Sequence, residues 1–348
     1  MFDQKKVSLA CLPTPLHELN VFQGKQNCPR VLVKRDDLTG VGFGGNKVRK
    51  AEYILAEVIR SGCDYIVTGA YVQSNWCTAI AAAANRCGIG VVLVKDGPTG
   101  YDPEFYEGNH LLHALLDVEM HVVDSSLVEP TKHEILRRLR SEGHRPFLVP
   151  VGGSSAVGAL GYIECVKELM QQAKALNLRV DYLLHTSGSG GTQAGTIIGA
   201  KLFGAGLKVI CASSGSRKKE AGEKLVRSII DEVVSSYHLD VCIEDSDIVI
   251  HDQYSNGYGH VVDQKLQAIE LIAKSDGLFL DPVYSSASMA CLLDLSDKNF
   301  FKKDDVVVYL HTGGQAGLFP YAAPLRSRIL GEAQPWTVPP WHPTNSHD

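Results

Sequence analysis

The chain has 348 residues, of which 45% are hydrophobic and 21% charged, an ordinary composition for a globular protein. Its formal net charge is −5 with no basic block, which argues against nucleic acid or an anionic membrane as the main partner. Its apolar runs are far too short to span a membrane, and residues 1–16 lack the apolar core of a secretory signal.

The nine cysteines are scattered, odd in number and contain no Cys-x-x-Cys pair. This pattern predicts reduced thiols, a cytoplasmic location and no metal site. The length exceeds what one simple core usually takes, so we expect two domains.

Short β-branched runs alternate with helical patterns along most of the chain. The predicted strands are, in chain order, residues 31–34, 65–68, 90–94, 120–123, 146–150, 182–185, 208–212, 248–250 and 306–311. The stretches between them are predicted to be helices, for example residues 75–86, 129–141, 191–203 and 264–275. This alternation indicates an α/β fold with parallel sheets and helices on both faces. Ligands bind such sheets at the carboxyl ends of the strands, where the chemically suggestive segments of this chain fall.

Lys47 lies in the segment GFGGNKVRK, residues 42–50. It follows a glycine-rich turn at the start of a predicted helix, whose positive end disfavours a charged amine. Arg49 and Lys50 are expected to lower the pKa of Lys47 further, toward a nucleophilic amine. A lysine near glycines is more often an ordinary surface residue, so other segments have to support this interpretation.

The segment SGSGGTQAG, residues 187–195, follows a predicted strand and precedes a helix. Its glycines allow backbone N–H groups to surround an anion at the helix N-terminus. It has neither the Gly-Lys-[Ser/Thr] of a Walker loop nor the full dinucleotide pattern. The segment therefore predicts a phosphate site for a ligand other than a dinucleotide or a nucleoside triphosphate, the alternative being a tight turn that needs glycine.

Eight segments, taken in order, resemble the D-cysteine desulfhydrase and 1-aminocyclopropane-1-carboxylate (ACC) deaminase family. They are LPTPLHEL (12–19), VKRDDLTG (33–40), GGNKVRK (44–50), VQSN (72–75), VPVGGSSAVGALGY (149–162), SGSGGTQAG (187–195), DPVY (281–284) and HTGGQAG (311–317). These enzymes use pyridoxal 5′-phosphate and have the two-domain architecture called fold type II.

The resemblance implies that Lys47 holds the cofactor as a Schiff base and carries the proton at Cα. The implied cofactor-binding residues are Asn46, Lys47, Lys50, Asn75, Gly188, Ser189, Gly190, Gly191, Thr192, Ser285 and Thr312. Asn75 is similar to the family's asparagine facing the ring oxygen, and Thr312 to its hydroxyl partner of the ring nitrogen. A hydroxyl there leaves the cofactor a weaker electron sink than a carboxylate would, which favours prompt loss of a β-substituent over transamination.

The implied substrate-binding residues are Gln73, Ser74, Asn75 and Trp76, at a helix start whose N–H groups suit a carboxylate. A plain N-cap serine is the alternative for Ser74. With Lys47, the implied catalytic residues are Ser74, Tyr258 and Tyr284. The two phenols could move protons or assist the leaving group, although isolated tyrosines usually only pack.

The sequence departs from the family around the substrate rather than the cofactor. Ser285 stands where ACC deaminases have glutamate, which argues against ring opening. Trp76 replaces the usual histidine or glutamine and could narrow the pocket or be part of the core.

The resemblance implies a large domain of residues 1–48 and 160–330, a small inserted domain of residues 49–159 and a tail of residues 331–348. It also implies a homodimer. The expected activity is α,β-elimination from a small amino acid to a keto acid and ammonia, with D-cysteine as the default substrate and cysteate or another β-substituted alanine open. The alternatives are β-replacement, ring opening of ACC, and a pyridoxal-phosphate-binding protein without turnover.

Overall fold

The computed structural model describes residues 5–24, 28–98 and 100–331. Apart from Gly331, the predicted tail lies outside the described residues. Within them, no helix combines the length and the apolar character that crossing a membrane requires.

The described residues form a mixed α/β structure. The strands are β1 (Leu16–Glu18), β2 (Arg30–Lys34), β3 (Tyr65–Tyr71), β4 (Gly90–Asp96), β5 (Glu119–Val123), β6 (Pro146–Leu148), β7 (Tyr182–Ser187), β8 (Lys208–Ser213), β9 (Val249–His251) and β10 (Val306–Leu310). The α-helices are α1 (Asn46–Arg60), α2 (Asn75–Asn85), α3 (Gly108–Leu115), α4 (Val128–Ser141), α5 (Ala156–Ala175), α6 (Gly191–Phe203), α7 (Lys219–Ser236), α8 (Asp263–Asp276), α9 (Ser285–Asp297) and α10 (Ala322–Leu330).

Two sheets organise the described part of the chain. The larger has the strand order β1-β2-β10-β7-β8-β9 and the smaller β5-β4-β3-β6. Every pairing is parallel except that of β1 with β2, so the predicted α/β class with mostly parallel sheets is confirmed. The smaller sheet falls within the predicted inserted domain, while the domain boundaries themselves stay a prediction.

The central strand β10 shows why the larger sheet is covered on both faces. Its sequence is Val-Val-Val-Tyr-Leu, and all five residues are buried. Val306, Val308 and Leu310 pack with apolar residues of α5, α6 and α7. Val307 and Tyr309 point to the opposite face and pack with α8 and α9. This alternation is the period of two expected for a strand between two helical layers.

The predicted elements agree closely with the structure. All nine predicted strands are present, and α6 has the predicted bounds. β3 extends to Tyr71, three residues beyond its prediction, because its parallel pairing with β4 continues through Gly69 and Ala70. The prediction stopped before these two residues because neither has a β-branched side chain. β1 was not predicted, because it is a three-residue edge strand with a single apolar residue.

Candidate active site

A cavity of about 290 Å³ opens where the carboxyl ends of β3, β7 and β10 meet the loop before α1. The predicted site residues that line it are Asn46, Lys47, Ser74, Asn75, Trp76, Gly188, Ser189, Gly190, Thr192, Tyr258, Tyr284 and Thr312. The structure thus brings together residues that are up to 266 positions apart in the chain, from Asn46 to Thr312.

Lys47 lies in the first turn of α1, held there by contact with the segment after β10. Gly45 has a φ of +101°, and a Cβ at this position would lie 2.9 Å from the carbonyl oxygen of Thr312. The backbone N–H of Asn46 donates to the same oxygen at 2.9 Å. Only glycine allows this close approach, so the glycine-rich turn fixes where the lysine amine enters the cavity.

The surrounding protein lowers the pKa of the Lys47 amine to about 8, because burial disfavours its charged form. The cause differs from the sequence-based expectation, which named the helix end and the charges of Arg49 and Lys50. The Arg49 guanidinium donates to Asp36 at 2.7 Å and to Glu168 at 3.0 Å, on the far side of α1. Its charge is therefore matched locally, and desolvation accounts for the shift at Lys47.

The predicted phosphate loop joins β7 to α6. Gly190 precedes the helix with a φ of +80° and offers no side-chain cap, so the helix N-terminus is presented to the cavity. A Cβ on Gly191 would lie 2.7 Å from the Lys50 amine and 2.8 Å from the Ser154 hydroxyl oxygen. Glycine is needed there because the loop packs directly on these two side chains.

Lys50 lies behind the loop, and neither Lys50 nor Gly191 belongs to the cavity lining. The Lys50 amine donates to the carbonyl oxygen of Gly152 at 2.8 Å and to the Ser154 hydroxyl at 3.0 Å. The Ser154 hydroxyl donates in turn to that of Ser189 at 2.7 Å. Burial and the nearby Lys47 hold the pKa of Lys50 well below its usual range. Lys50 therefore stabilises the loop through these hydrogen bonds without lining the cavity itself.

Thr192 and Asn46 connect the phosphate loop to the lysine segment. The Asn46 side-chain amide donates to the Thr192 hydroxyl oxygen at 2.9 Å. Since that oxygen is already an acceptor, the hydroxyl hydrogen remains available for an anion in the cavity.

The start of α2 forms another wall. The Ser74 hydroxyl accepts a hydrogen bond from the backbone N–H of Cys77 at 3.2 Å, so Ser74 is the helix N-cap and also lines the cavity. Trp76 is 2% exposed, and its indole N–H donates to the Thr68 hydroxyl at 3.0 Å. Its side chain packs in the core, and the residue also belongs to the cavity lining.

Gln73 does not line the cavity. Its side-chain carbonyl accepts from the backbone N–H of Asn109 at 2.8 Å, and its amide nitrogen donates to the carbonyl oxygen of Glu107 at 2.9 Å. Direct contact of its side chain with a substrate thus stays a prediction that this arrangement does not support.

Ser285 also lies outside the lining and is fully buried. Its hydroxyl donates to an Asp281 carboxylate oxygen at 2.6 Å and accepts from the Asp281 backbone N–H at 2.7 Å. These bonds hold its side chain at Asp281, and its predicted contact with the cofactor finds no support in this geometry. Thr312, by contrast, reaches the cavity.

Tyr258 and Tyr284 stand side by side at the cavity wall, with their hydroxyl oxygens 2.9 Å apart. Tyr71 stacks on Tyr258 with ring centroids 4.1 Å apart and was missed by the sequence analysis. Burial raises the pKa of both Tyr258 and Tyr284, so the two phenols keep their protons at neutral pH.

The cavity is lined by further residues that the sequence analysis missed. They are Tyr71, Asp96, Ser125, Val128, Glu129, Lys132, Gln193, Ser214, Ser216 and Arg217. Tyr71 and Asp96 end β3 and β4, Ser214 directly follows β8, and Ser125 lies two residues after β5. Inspection of the few residues that follow each predicted strand could have found Asp96, Ser125 and Ser214.

Comparison with known proteins finds a matching family and named relatives. Residues 7–313 match the family model described as pyridoxal-phosphate dependent enzyme. A D-cysteine desulfhydrase of Yersinia enterocolitica is 37% identical over 316 residues, covering 88% of this chain and 93% of that protein. A Pyrococcus abyssi protein, provisionally named a 1-aminocyclopropane-1-carboxylate deaminase, is 35% identical over 294 residues. The match covers 84% of this chain and 86% of that protein.

A solved structure, that of an ACC deaminase homologue, superposes on this chain with a TM-score of 0.84. The two sequences are 31% identical, and the match covers 93% of this chain and 96% of the homologue's chain.

Proposed function

The chain belongs to the pyridoxal-phosphate dependent enzyme family, and on that premise we propose that it catalyses α,β-elimination from a small β-substituted amino acid. The observation that carries this proposal is one cavity in which the Lys47 amine, the Ser74 helix start and the Tyr258–Tyr284 pair meet. These groups supply a base, an anion site and a proton donor, which an elimination requires.

The residues present fit pyridoxal phosphate. The positive N-terminus of α6 and the Thr192 hydroxyl suit its phosphate, and the loop packs closely on Lys50 and Ser154 at Gly191. Lys47, with a lowered pKa, suits a covalent bond with its aldehyde. Asn75 and Thr312 offer an amide and a hydroxyl to its ring.

When bound, the cofactor supplies the electron sink that makes a Cα proton removable. Lys47 is proposed to be the base that takes that proton with its neutral amine. Lys47 lines the cavity, and a pKa of about 8 gives its amine a usable neutral fraction at physiological pH.

The start of α2 is proposed to bind the substrate carboxylate. The backbone N–H groups at Ser74 and Asn75 carry the positive end of the helix dipole. The Ser74 hydroxyl accepts from Cys77, so its own hydrogen can be donated to the carboxylate. This orients the Cα–H bond with respect to Lys47.

The tyrosine pair is proposed to protonate the leaving group. Both phenols are protonated at neutral pH, and a hydrogen bond between them leaves one O–H free to donate into the cavity. With D-cysteine the balanced reaction is D-cysteine plus water giving pyruvate, ammonia and hydrogen sulfide. The named desulfhydrase relative favours this substrate, while cysteate and other β-substituted alanines share the same chemistry.

The experiment is a substrate panel with the purified holoenzyme: D- and L-cysteine, other β-substituted alanines and ACC, each with and without an added thiol nucleophile. We expect keto acid and ammonia in equal amounts from at least one β-substituted alanine, and little from ACC, since Ser285 replaces the family's glutamate. Lys47→Ala is the inactive control. Ammonia from ACC alone, formation of a substituted amino acid only when nucleophile is present, or no turnover at all would each contradict the proposal.

We further propose that the chain works as a homodimer in the cytoplasm, with the domain division predicted from its sequence. The resemblance supports the dimer, and the scattered cysteines favour a reducing compartment. Sedimentation of the purified holoenzyme gives the number of subunits directly, and a monomer would contradict the proposal.

A further inference from the structure

A buried polar cluster, which the proposed reaction does not use, lies behind the start of α2. It consists of Lys95 on β4, Thr78 on α2, and Asn109, His110 and His113 on α3. Each side chain is at most 5% exposed, and none lines the cavity. Five buried polar side chains are costly unless they satisfy one another, so their hydrogen bonds should form a consistent set.

The direction of these bonds can be worked out from Lys95. Its amine contacts Nδ1 of both His110 and His113, the latter at 2.9 Å. An ammonium can only donate, so both Nδ1 atoms accept and each ring carries its proton on Nε2. Burial lowers the pKa of Lys95 to about 7, yet a neutral amine still has two N–H donors for two rings.

The ring of His110 supports this assignment. Its Nε2 lies 2.8 Å from the carbonyl oxygen of Pro103, an atom that can only accept. The burial and positive neighbours of His113 hold its pKa well below the usual range, so its ring is neutral. Its Nε2 lies 3.3 Å from the carbonyl oxygen of Ser74, an atom that can only accept, so Nε2 is the nitrogen that carries the proton.

From His113 the hydrogen bonds run in one direction, with each group donating to the next, until they reach a residue of the cavity lining. Its Nε2 lies 3.0 Å from the Thr78 hydroxyl oxygen, and the Thr78 hydroxyl donates to Oδ1 of Asn109 at 2.7 Å. Nδ2 of Asn109 then donates to Oδ1 of Asn75 at 2.8 Å. Each group donates once along this path, and the path ends at a residue that lines the cavity.

The last bond decides which end of the Asn75 amide faces a ligand. The Asn75 side-chain oxygen accepts a hydrogen bond from Asn109. The Asn75 nitrogen, which carries two hydrogens, is therefore the end of the amide that can donate to a ligand. That nitrogen lies beside the turn after β10, 3.0 Å from where a Cβ of Gly314 would be. The reverse orientation would set two N–H donors face to face at Asn109.

We propose that Lys95, His113, Thr78 and Asn109 are positioning residues that hold the Asn75 amide with its N–H donors toward the cavity, where they bind an acceptor oxygen on the cofactor ring. The inference rests on the proposed cofactor site but not on the identity of the amino-acid substrate.

The first test replaces Thr78 by valine, which has nearly the same shape and no hydroxyl. We expect the dissociation constant of pyridoxal phosphate to rise about three- to tenfold, as for the loss of one hydrogen bond. The visible absorption band of the bound cofactor should shift, because the donor to its ring oxygen is no longer fixed. Thr78→Ser should restore both properties. Ser296→Ala, which removes a buried hydroxyl from the end of α9, is the matched control and should change neither.

A second variant tests the direction of the path. Asn109→Asp replaces the donor to Asn75 by an acceptor, which should turn the Asn75 nitrogen inward and its oxygen toward the cavity. The loss of cofactor affinity should exceed that of Thr78→Val. Wild-type affinity and absorption in a folded Thr78→Val, or equal defects in Thr78→Val and Thr78→Ser, would overturn the proposal.

A measurement on the wild-type holoenzyme does not depend on any variant folding. In protein carrying ¹⁵N-labelled histidine, the His113 resonances, assigned with His113→Gln, should show a neutral ring with its proton on Nε2. A proton on Nδ1 would break the path at its first step and overturn the proposal. Failure of the substrate panel would leave this result unaffected, so the two proposals can fail separately.

Discussion

The hydroxyl oxygens of Tyr258 and Tyr284 lie 2.9 Å apart at the wall of the cavity, although the segment before α8 carries one and the start of α9 the other. Burial raises the pKa of both phenols, so neither serves as a base at neutral pH. One of the two hydroxyl hydrogens forms the hydrogen bond between the phenols, and the other can be donated to a ligand in the cavity.

Tyr284→Phe is expected to lower kcat by about 10²–10⁴-fold, the usual effect of removing a general acid. The content of bound pyridoxal phosphate should not change, because the phenylalanine ring still packs in the same place. Steady-state kinetics with the best substrate of the panel and absorption of the bound cofactor measure the two quantities.

Tyr258→Phe leaves the Tyr284 hydroxyl in place without its partner, so we expect a smaller loss of kcat. Tyr254→Phe is the control, because Tyr254 is buried and its hydroxyl contacts Asp294 away from the cavity. Near wild-type kcat in both Tyr258→Phe and Tyr284→Phe would show that the phenols only pack.

Thr192→Ala is expected to weaken pyridoxal phosphate binding by about 1–3 kcal/mol, the range for a hydrogen bond to a charged group. The Thr192 hydroxyl oxygen accepts from Asn46, so its hydrogen is free for a phosphate oxygen. Titration of the apoenzyme with cofactor gives the affinity. Thr196→Ala, one turn later on α6 and outside the lining, should leave that affinity unchanged. Equal affinities for Thr192→Ala and wild type would remove Thr192 from the phosphate site.

The sequence predicts the fold well because the local signals are strong. β10 is a continuous apolar strand, and glycines stand at both ends of α6, at Gly190 and Gly204. The short edge strand β1 has no such signal, since its pairing with β2 is decided by a contact between distant segments.

For the site, the sequence indicates which segments meet but not where every side chain points. Lys47 and Thr192 follow glycine turns whose backbone geometry fixes their positions. The direction of Ser285 depends on its bonds with Asp281, and that of Gln73 on its contact with α3. Tyr71 ends a strand and gave no signal of its own, because only the folded chain stacks it on Tyr258.

Ser74→Ala is expected to raise KM with little change in kcat, because the hydroxyl is proposed to hold the substrate carboxylate in both ground and transition states. Loss of the N-cap bond to Cys77 should also cost about 1 kcal/mol of stability. Ser155→Ala removes the equivalent cap from α5, outside the cavity lining, and should reduce stability alone. A fall in kcat at constant KM would instead assign proton transfer to Ser74.

Attachment of pyridoxal phosphate to the apoenzyme should report the lowered pKa of Lys47. Only the neutral amine attacks the aldehyde, and burial brings the pKa to about 8 from the ordinary value of about 10.4. As pH rises, the neutral fraction grows about tenfold per unit below this pKa and then saturates. The attachment rate, followed by visible absorption after rapid mixing, should therefore level off above about pH 9, whereas an ordinary lysine would still be accelerating there.

Reduction with borohydride and peptide mapping identify the lysine that reacted. The label is expected on Lys47, and Lys47→Arg should take up none, because a guanidinium stays charged. Lys50 is the natural competitor, three residues away and also with a lowered pKa. Its amine is held by Gly152 and Ser154 behind the loop, so geometry rather than basicity should exclude it. A label on Lys50, or a rate still rising steeply at pH 10, would contradict the assignment of Lys47 as the reactive amine.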